Sequence, residues 1–178
     1  MRRLQGFWIW LLLIAGILIP GSAVAQPKTT LLPEPCGMIG SSTAQATEIF
    51  ARLDEFTCGE KAAQMEASHI WAAFDSMHLP PMQQDHWVFK HRYGRIGSEQ
   101  VWFRYDDGQI LPSPTRDTQA GQSFSTADVV FEAPRHEAAI TGILVKLSHL
   151  QNVRGLTPRA SVEPASVQAV RAQSFHLF

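Results

Sequence analysis

The chain has little of what several common protein classes require. It contains no run of lysine or arginine, and its formal net charge at pH 7 is only −1. A nucleic-acid-binding domain carries a basic patch that neutralises phosphates, so we expect no nucleic-acid partner. Cysteine occurs only 2 times in 178 residues. Without a nearby histidine pair, two cysteines make a poor structural zinc site.

The sequence also lacks the short motifs that identify common enzymes. It has no Gly-x-Ser-x-Gly elbow, no phosphate-binding loop and no dinucleotide fingerprint. Histidine is more frequent, but no two histidines stand at His-x-His or His-Glu-x-x-His spacing. We interpret them as ordinary imidazoles, and a metal site assembled from several strands is the alternative. The histidines in question are His69, His78, His86 and His91. We therefore predict no metal, no cofactor and no catalytic residue.

The first 25 residues have the three parts of a secretory signal peptide. Arg2 and Arg3 are positive, residues 7–20 are apolar, and residues 21–25 end in a small-x-small pattern. An uncleaved membrane anchor is the alternative, but the apolar run is shorter than the roughly 20 residues that span a bilayer. We expect cleavage before Gln26 and an exported protein, in the periplasm or on the periplasmic face of the inner membrane.

Both cysteines lie after this segment. An even number of cysteines in an exported chain favours a disulfide, so we predict a bond between Cys36 and Cys58; two buried free thiols are the alternative. Closing this loop would stabilise the fold by about 3 kcal/mol in the chain-entropy model.

The rest of the chain is predicted to form one all-β domain. Residues 26–35 form an extended lead, residues 36–163 a β-sandwich, and residues 164–178 a helical tail. A capping box at residues 42–45 predicts a short N-terminal helix with an apolar stripe to Leu53. Strand-like segments follow at 69–75, 86–93, 100–105, 109–111, 124–133, 139–147 and 156–162. Short strands joined by Pro/Gly turns favour an antiparallel, jelly-roll-like β-sandwich.

Tryptophans and charged residues on these strands supply the candidate binding site. Trp71 and Trp87 are expected to fill the core. Trp102 alternates with Val101, Phe103 and Tyr105, so it points away from the core if those three point inward. An exposed aromatic ring with polar neighbours is typical of a small-ligand site, and solvated strand charges are the alternative. The predicted ligand-binding residues are Trp102, Arg104, Arg92 and Asp106, with Arg95 nearby.

The order of these features resembles a known family. A cysteine is followed by a short helix ending at residues 54–58 (DEFTC), a Trp-containing strand and residues 101–108 (VWFRYDDG). Residues 152–156 (NVRGL) and a tail that begins Glu163-Pro164 come later. This order resembles the extracytoplasmic sensor domains of bacterial membrane diguanylate cyclases. Those domains are similar to the extracellular module of seven-transmembrane receptors with diverse intracellular signalling modules.

The resemblance implies a jelly-roll-like domain, similar to carbohydrate-binding modules, that senses a small molecule in the periplasm. In such receptors, membrane helices and a GGDEF cyclase domain follow the sandwich. These 178 residues contain no GGDEF motif, so we expect no enzymatic activity. The tail 165–178 is expected to connect to membrane helices or a membrane partner. The alternatives are a free-standing periplasmic protein that binds a small molecule or carbohydrate, and a hydrolase on the same scaffold.

Overall fold

A computed structural model describes residues 29–63, 65, 67–92, 98–114, 129–148 and 159–174. The predicted signal peptide at residues 1–25 lies outside these residues, as do Arg95 and the segment 152–156. The described chain forms two sheets in which every strand pair is antiparallel. The prediction of an all-β fold is therefore confirmed.

Nine strands make up the two sheets of the described part. In chain order they are β1 (Thr30–Leu31), β2 (Cys36–Ile39), β3 (His69–Phe74), β4 (Trp87–Arg92), β5 (Ser98–Tyr105), β6 (Ile110–Pro112), β7 (Val129–Glu132), β8 (Ile140–Ser148) and β9 (Arg159–Pro164). The four-stranded sheet has the order β1-β9-β4-β7, and the five-stranded sheet has the order β2-β3-β8-β5-β6. Strands β3 to β9 overlap the predicted segments. Strands β1 and β2 were not predicted, because two and four residues are too few to show alternation.

The main hydrophobic core lies between the sheets. Alternate residues of each strand point into it, as the pleat of a strand requires. Val101, Phe103 and Tyr105 are all buried there, so the predicted parity of β5 is confirmed. Phe74 of the five-stranded sheet meets Phe89 of the four-stranded sheet edge to face, with ring centroids 5.4 Å apart. Such aromatic pairs add about 0.5–1.5 kcal/mol to the effect of burial.

A second apolar cluster covers the other face of the five-stranded sheet, which we call the outer face. It brings helix α1 (Ala46–Phe50) and the 3₁₀ turn Leu53–Glu55 onto Trp71 and Leu144. Helix α1 begins after Gln45, where Glu48 accepts the Gln45 N–H at 3.3 Å. The capping box predicted at 42–45 was therefore wrong by three residues. Instead, Gln45 and Glu48 form the capping box and bond to the backbone N–H groups at the start of the helix.

The predicted disulfide between Cys36 and Cys58 is present. It joins β2 to the residues that precede helix α2 (Glu60–Ala63), and so closes the segment that carries α1. Next to it, Gly37 and Thr57 exchange two backbone hydrogen bonds of 2.7 and 2.8 Å. Those bonds cover an edge of β2 that would otherwise be open to pairing with another chain.

Helix α3 (Ala165–Ser174) follows β9 directly and contacts β4 and β9. Glu163, at the end of β9, is fully buried. Its two carboxylate oxygens accept from Lys90 Nζ at 3.1 Å and from Thr29 Oγ1 at 2.9 Å. This carboxylate therefore ties the segment that enters β1 to the strand that leads into α3. Within the described residues, no helix has the length and apolar character needed to cross a bilayer.

Candidate functional site

One end of the sandwich carries a cleft. At this end β3, β5, β7 and β9 finish, and β4, β6 and β8 begin. We call this concave surface the loop-end cleft, and its principal lining residues are Leu79, Pro80, Asp85, His86, Trp87, Tyr105, Ala133, Pro134, Arg135, His136 and Ile140. Its cavity volume is about 20 Å³, which has room for about one water molecule. A larger ligand would lie across the cleft and could not be enclosed in it.

Backbone bonds fix the floor of the cleft. Leu79 and Ile140 exchange two backbone hydrogen bonds of 3.0 and 2.9 Å, which anchor the loop after β3 to the start of β8. Trp87 donates its indole N–H to the Pro80 carbonyl at 2.9 Å. The indole ring is therefore held in one orientation, with its polar atom already satisfied. The floor can offer a ligand only apolar and aromatic contact.

The first wall of the cleft is lined by Tyr105 and His136, and Asp107 contacts His136. The Tyr105 hydroxyl donates to the Pro134 carbonyl at 2.6 Å, and the Tyr105 ring meets the His136 ring edge to face at 4.4 Å. His136 Nε2 lies 2.7 Å from Asp107 Oδ2. The imidazole is thus held between a ring and a carboxylate, which fixes its plane.

Charge and burial shift two pKa values on this wall. The N–H of Gln109 and, after it, the hydrogen bond from His136 lower the pKa of Asp107 from its ordinary value of 3.8. Burial, helped by the negative charge of Asp107, raises the pKa of Tyr105 to about 12. At neutral pH Asp107 is therefore an ionised carboxylate and Tyr105 a neutral phenol.

The second wall is lined by Asp85 and His86, and Glu132 lies beside His86. His86 Nε2 lies 3.7 Å from Glu132 Oε2, and His86 Nδ1 lies 4.0 Å from Asp85 Oδ1. Asp85 accepts from the His86 N–H at 2.8 Å and from Ser166 Oγ at 2.6 Å. Burial alone would raise the pKa of Asp85, but the hydrogen bonds from Ser166 and His86, with the charge of His86, lower it overall.

The arrangement is suited to binding. Each wall has a histidine beside carboxylates, so the cleft offers both acceptors and ring N–H groups to a polar ligand above an apolar floor. Among the described residues, no three His, Cys, Asp or Glu side chains come together as metal ligands. Both cysteines are in the disulfide, so neither is a free thiolate nucleophile.

The predicted binding residues lie in separate places. Trp102 and Arg104 share the outer face of β5, where the Trp102 ring lies 5.4 Å from the Trp71 ring. Arg104 already contacts Asp75 Oδ1 at 2.5 Å and Thr141 Oγ1 at 3.2 Å, and it lies over the Phe50 ring. Trp102 is half-buried against the cluster that includes helix α1. A ligand at this patch would have to compete with these contacts.

Two further predicted residues are not next to that pair. Arg92 lies on β4 of the four-stranded sheet, opposite Arg159 and at the end of the sandwich far from the loop-end cleft. Asp106 is exposed in the turn after β5, where its backbone N–H bonds to the Ala139 carbonyl at 2.9 Å. Arg95 lies outside the described residues. The structure therefore brings only Trp102 and Arg104 together, and their ligand-binding role stays a prediction.

Sequence reasoning missed most of the loop-end cleft. Asp107, His136 and Asp85 were not among the predicted binding residues. The available signal was that polar turns with charged residues follow β5 and β7 and precede β4, which places them at one end of an antiparallel sandwich. Loops at the end of a rigid sheet scaffold commonly carry binding residues.

No protein-family model matches this sequence, and no curated protein matches it significantly.

Proposed function

We propose that this chain is an exported ligand-binding domain that resembles the extracytoplasmic sensor domains of bacterial membrane diguanylate cyclases, and that its ligand occupies the loop-end cleft. The observation that carries the proposal is that His86 and His136, each beside at least one carboxylate, line the same cleft as the Trp87 and Tyr105 rings. Convergent polar groups over apolar surface are what a small-molecule site requires.

One feature supports export of the protein, and another supports the jelly-roll fold that the resemblance implies. A disulfide that closes a loop is typical of oxidising compartments, and Cys36–Cys58 agrees with the signal peptide predicted at residues 1–25. Leaving out the edge strand β2, the sheet orders are β1-β9-β4-β7 and β3-β8-β5-β6. These orders agree with the jelly roll that the resemblance implies, since a jelly roll is built from two Greek keys.

The proposed ligand is a small, polar, uncharged molecule, with a carbohydrate as the leading class. Carboxylates and imidazoles bond to hydroxyl groups, and the Trp87 and Tyr105 rings offer apolar contact to a sugar face. The shallow cavity agrees with a ligand that lies across the rim. On this proposal, the domain binds without turnover, and output belongs to membrane helices or a membrane partner reached through α3.

A free-standing periplasmic binding protein is the second candidate. It is favoured by one observation: the start of α3 is held on the sandwich by the Ser166–Asp85 contacts, which a self-contained domain would use to dock its last helix. Sequencing the gene and its message beyond the codon for Phe178 separates the two candidates. A continuing frame with apolar spans supports the receptor, and a stop codon supports the free-standing protein.

Binding is tested by titrating ¹⁵N-labelled protein, secreted to the periplasm, with a panel of monosaccharides, disaccharides and small carboxylic acids. We expect amide shifts at residues 85–87, 105–107 and 135–136. His136→Ala should weaken the binding at least tenfold. His78→Ala is the control, because His78 is an exposed histidine on the loop between β3 and β4 that does not line the cleft. Shifts confined to Trp102 and Arg104, or equal losses in both variants, would contradict the proposal.

A further inference from the structure

Helix α3 begins without a capping side chain of its own. Pro164 precedes it, and a proline side chain has no hydrogen-bond acceptor. The first backbone N–H groups of a helix need acceptors from elsewhere. They find them about 80 residues earlier in the chain: Ala165 donates to the His86 carbonyl at 2.9 Å, and Ser166 donates to Asp85 Oδ2 at 3.3 Å. The Asp85 side chain thus supplies a capping acceptor to a helix that lies about 80 residues later in the sequence.

The residues that cap α3 also line the loop-end cleft. The Asp85 carboxylate binds Ser166 through Oδ2, while Oδ1 accepts the His86 N–H and faces the His86 ring. About a fifth of the His86 side chain and a quarter of the Asp85 side chain are exposed. Both residues line the cleft, so a group in the cleft can reach the exposed part of each side chain.

We propose that the loop-end cleft and helix α3 are coupled through Asp85, so that any change in the hydrogen bonding of His86 or Asp85 in the cleft changes the stability of α3. The coupling follows from contacts within this chain and goes beyond the proposed function. Its use in signalling rests on that function. Because coupling between two sites is reciprocal, a partner that holds α3 would also alter affinity in the cleft.

The size of the effect follows from the capping role. Loss of an N-cap acceptor raises the population of the frayed helix about fivefold, and a carboxylate at a helix N-terminus adds a favourable charge–dipole term. Isolated helices shorter than about 12 residues are marginal in water. Because α3 has 10 residues, its order should depend on this cap and on its packing.

Amide hydrogen exchange of the full chain tests the coupling without any ligand. In Asp85→Ala, the amides of α3 should exchange about fivefold faster, while the amides of Ile143 and Val145 in the core keep their wild-type rates. Asp85→Asn should restore slow exchange, because asparagine caps helices as well as aspartate does. Asp107→Ala is the matched control: it removes a carboxylate at the cleft that contacts His136 and Gln109.

His86→Gln is the decisive variant. It changes only the side chain in the cleft and leaves the backbone carbonyl that binds Ala165. We expect at least a twofold change in α3 exchange. If His86→Gln leaves α3 unchanged while Asp85→Ala accelerates it, Asp85 is a simple cap and the coupling is overturned. Unchanged α3 exchange in Asp85→Ala would overturn the capping role itself. Neither result bears on whether the cleft binds a ligand, which the titration decides separately.

Discussion

His91 Nε2 lies 2.9 Å from Glu99 Oε2 in the interior of the protein, and the two side chains come from different sheets. His91 is on β4 and Glu99 on β5, and both are almost completely buried. The His91 ring also stacks on the Phe131 ring, with centroids 5.7 Å apart. This pair is therefore a polar link between the two sheets, set within a largely apolar core.

Removing one partner of this pair should be costly. Glu99→Leu leaves His91 buried without its carboxylate, and such single removals cost about 3–5 kcal/mol. The double variant His91→Phe/Glu99→Leu should recover most of the loss, because two apolar side chains leave no buried polar group uncompensated. Urea unfolding of the wild type, both single variants and the double variant measures the coupling energy. Additive single losses would show that the two groups do not interact.

Tyr105→Phe should lower the free energy of unfolding by about 1 kcal/mol, the typical value of a net hydrogen bond. The variant loses the bond to the Pro134 carbonyl but keeps the ring contact with His136. Phe103→Leu serves as the comparison, since it changes packing and removes no hydroxyl. A stability equal to wild type would mean that the hydroxyl bond contributes nothing.

The same tyrosine should make the fold sensitive to alkali. Because the folded pKa of Tyr105 is raised from 10 to about 12, the neutral phenol stabilises the fold fully below pH 10. That contribution is lost as the pH rises from 10 through 12. Tyrosinate absorbance should show a late titration step that is missing in Tyr105→Phe. A step at the ordinary tyrosine pKa would contradict this prediction.

Acid should weaken the hydrogen bonds of Asp107 and Asp85 at the loop-end cleft. Asp107 and Asp85 have folded pKa values below their ordinary value of 3.8. Their stabilisation is therefore present above pH 3.8 and is lost as the pH falls through the lowered folded pKa. Asp107→Asn should flatten the fall in unfolding free energy below pH 4, whereas Asp54→Asn, which touches no cleft residue, should not. Equal slopes in both variants would count against the Asp107–His136 pair.

Gly40 should not tolerate a side chain. A Cβ at this position would lie 2.5 Å from Trp71 Cδ1 and 2.7 Å from Trp71 Nε1, and Trp71 is fully buried. Overpacking of this kind costs about 1–3 kcal/mol. Gly40→Ala should therefore lower the melting temperature, while the exposed neighbour Ser42→Ala should leave it nearly unchanged. A wild-type melting temperature for Gly40→Ala would show that Trp71 can move aside.

The sequence predicted those parts of the fold that local patterns encode. The alternation of Val101, Phe103 and Tyr105 assigned the buried face of β5, because the side-chain period of a strand is fixed at two residues. The same parity placed Trp102 on the opposite face. It could not show that helix α1 packs against that face, since that contact depends on residues about 50 positions away.

The candidate site was harder to predict for the same physical reason. Asp107 and His136 lie 29 positions apart, and Asp85 and Ser166 lie 81 positions apart. Only the order of strands in the two sheets brings these pairs together. Arg92 and Arg104 do lie on consecutive strands, but these strands belong to opposite sheets.

The contacts of Glu163 have a mechanical consequence. Thr29 precedes β1 and Glu163 ends β9, and Thr30 pairs with Val162 in an antiparallel register. Tension applied between the chain before Thr29 and the chain after Pro164 would therefore pull on the same end of both strands. It would break the β1–β9 hydrogen bonds one after another and would not load them all at once. The Thr29–Glu163 hydrogen bond lies at the end of the two strands where this separation would begin. Under tension, this hydrogen bond would have to break before β1 separates from β9.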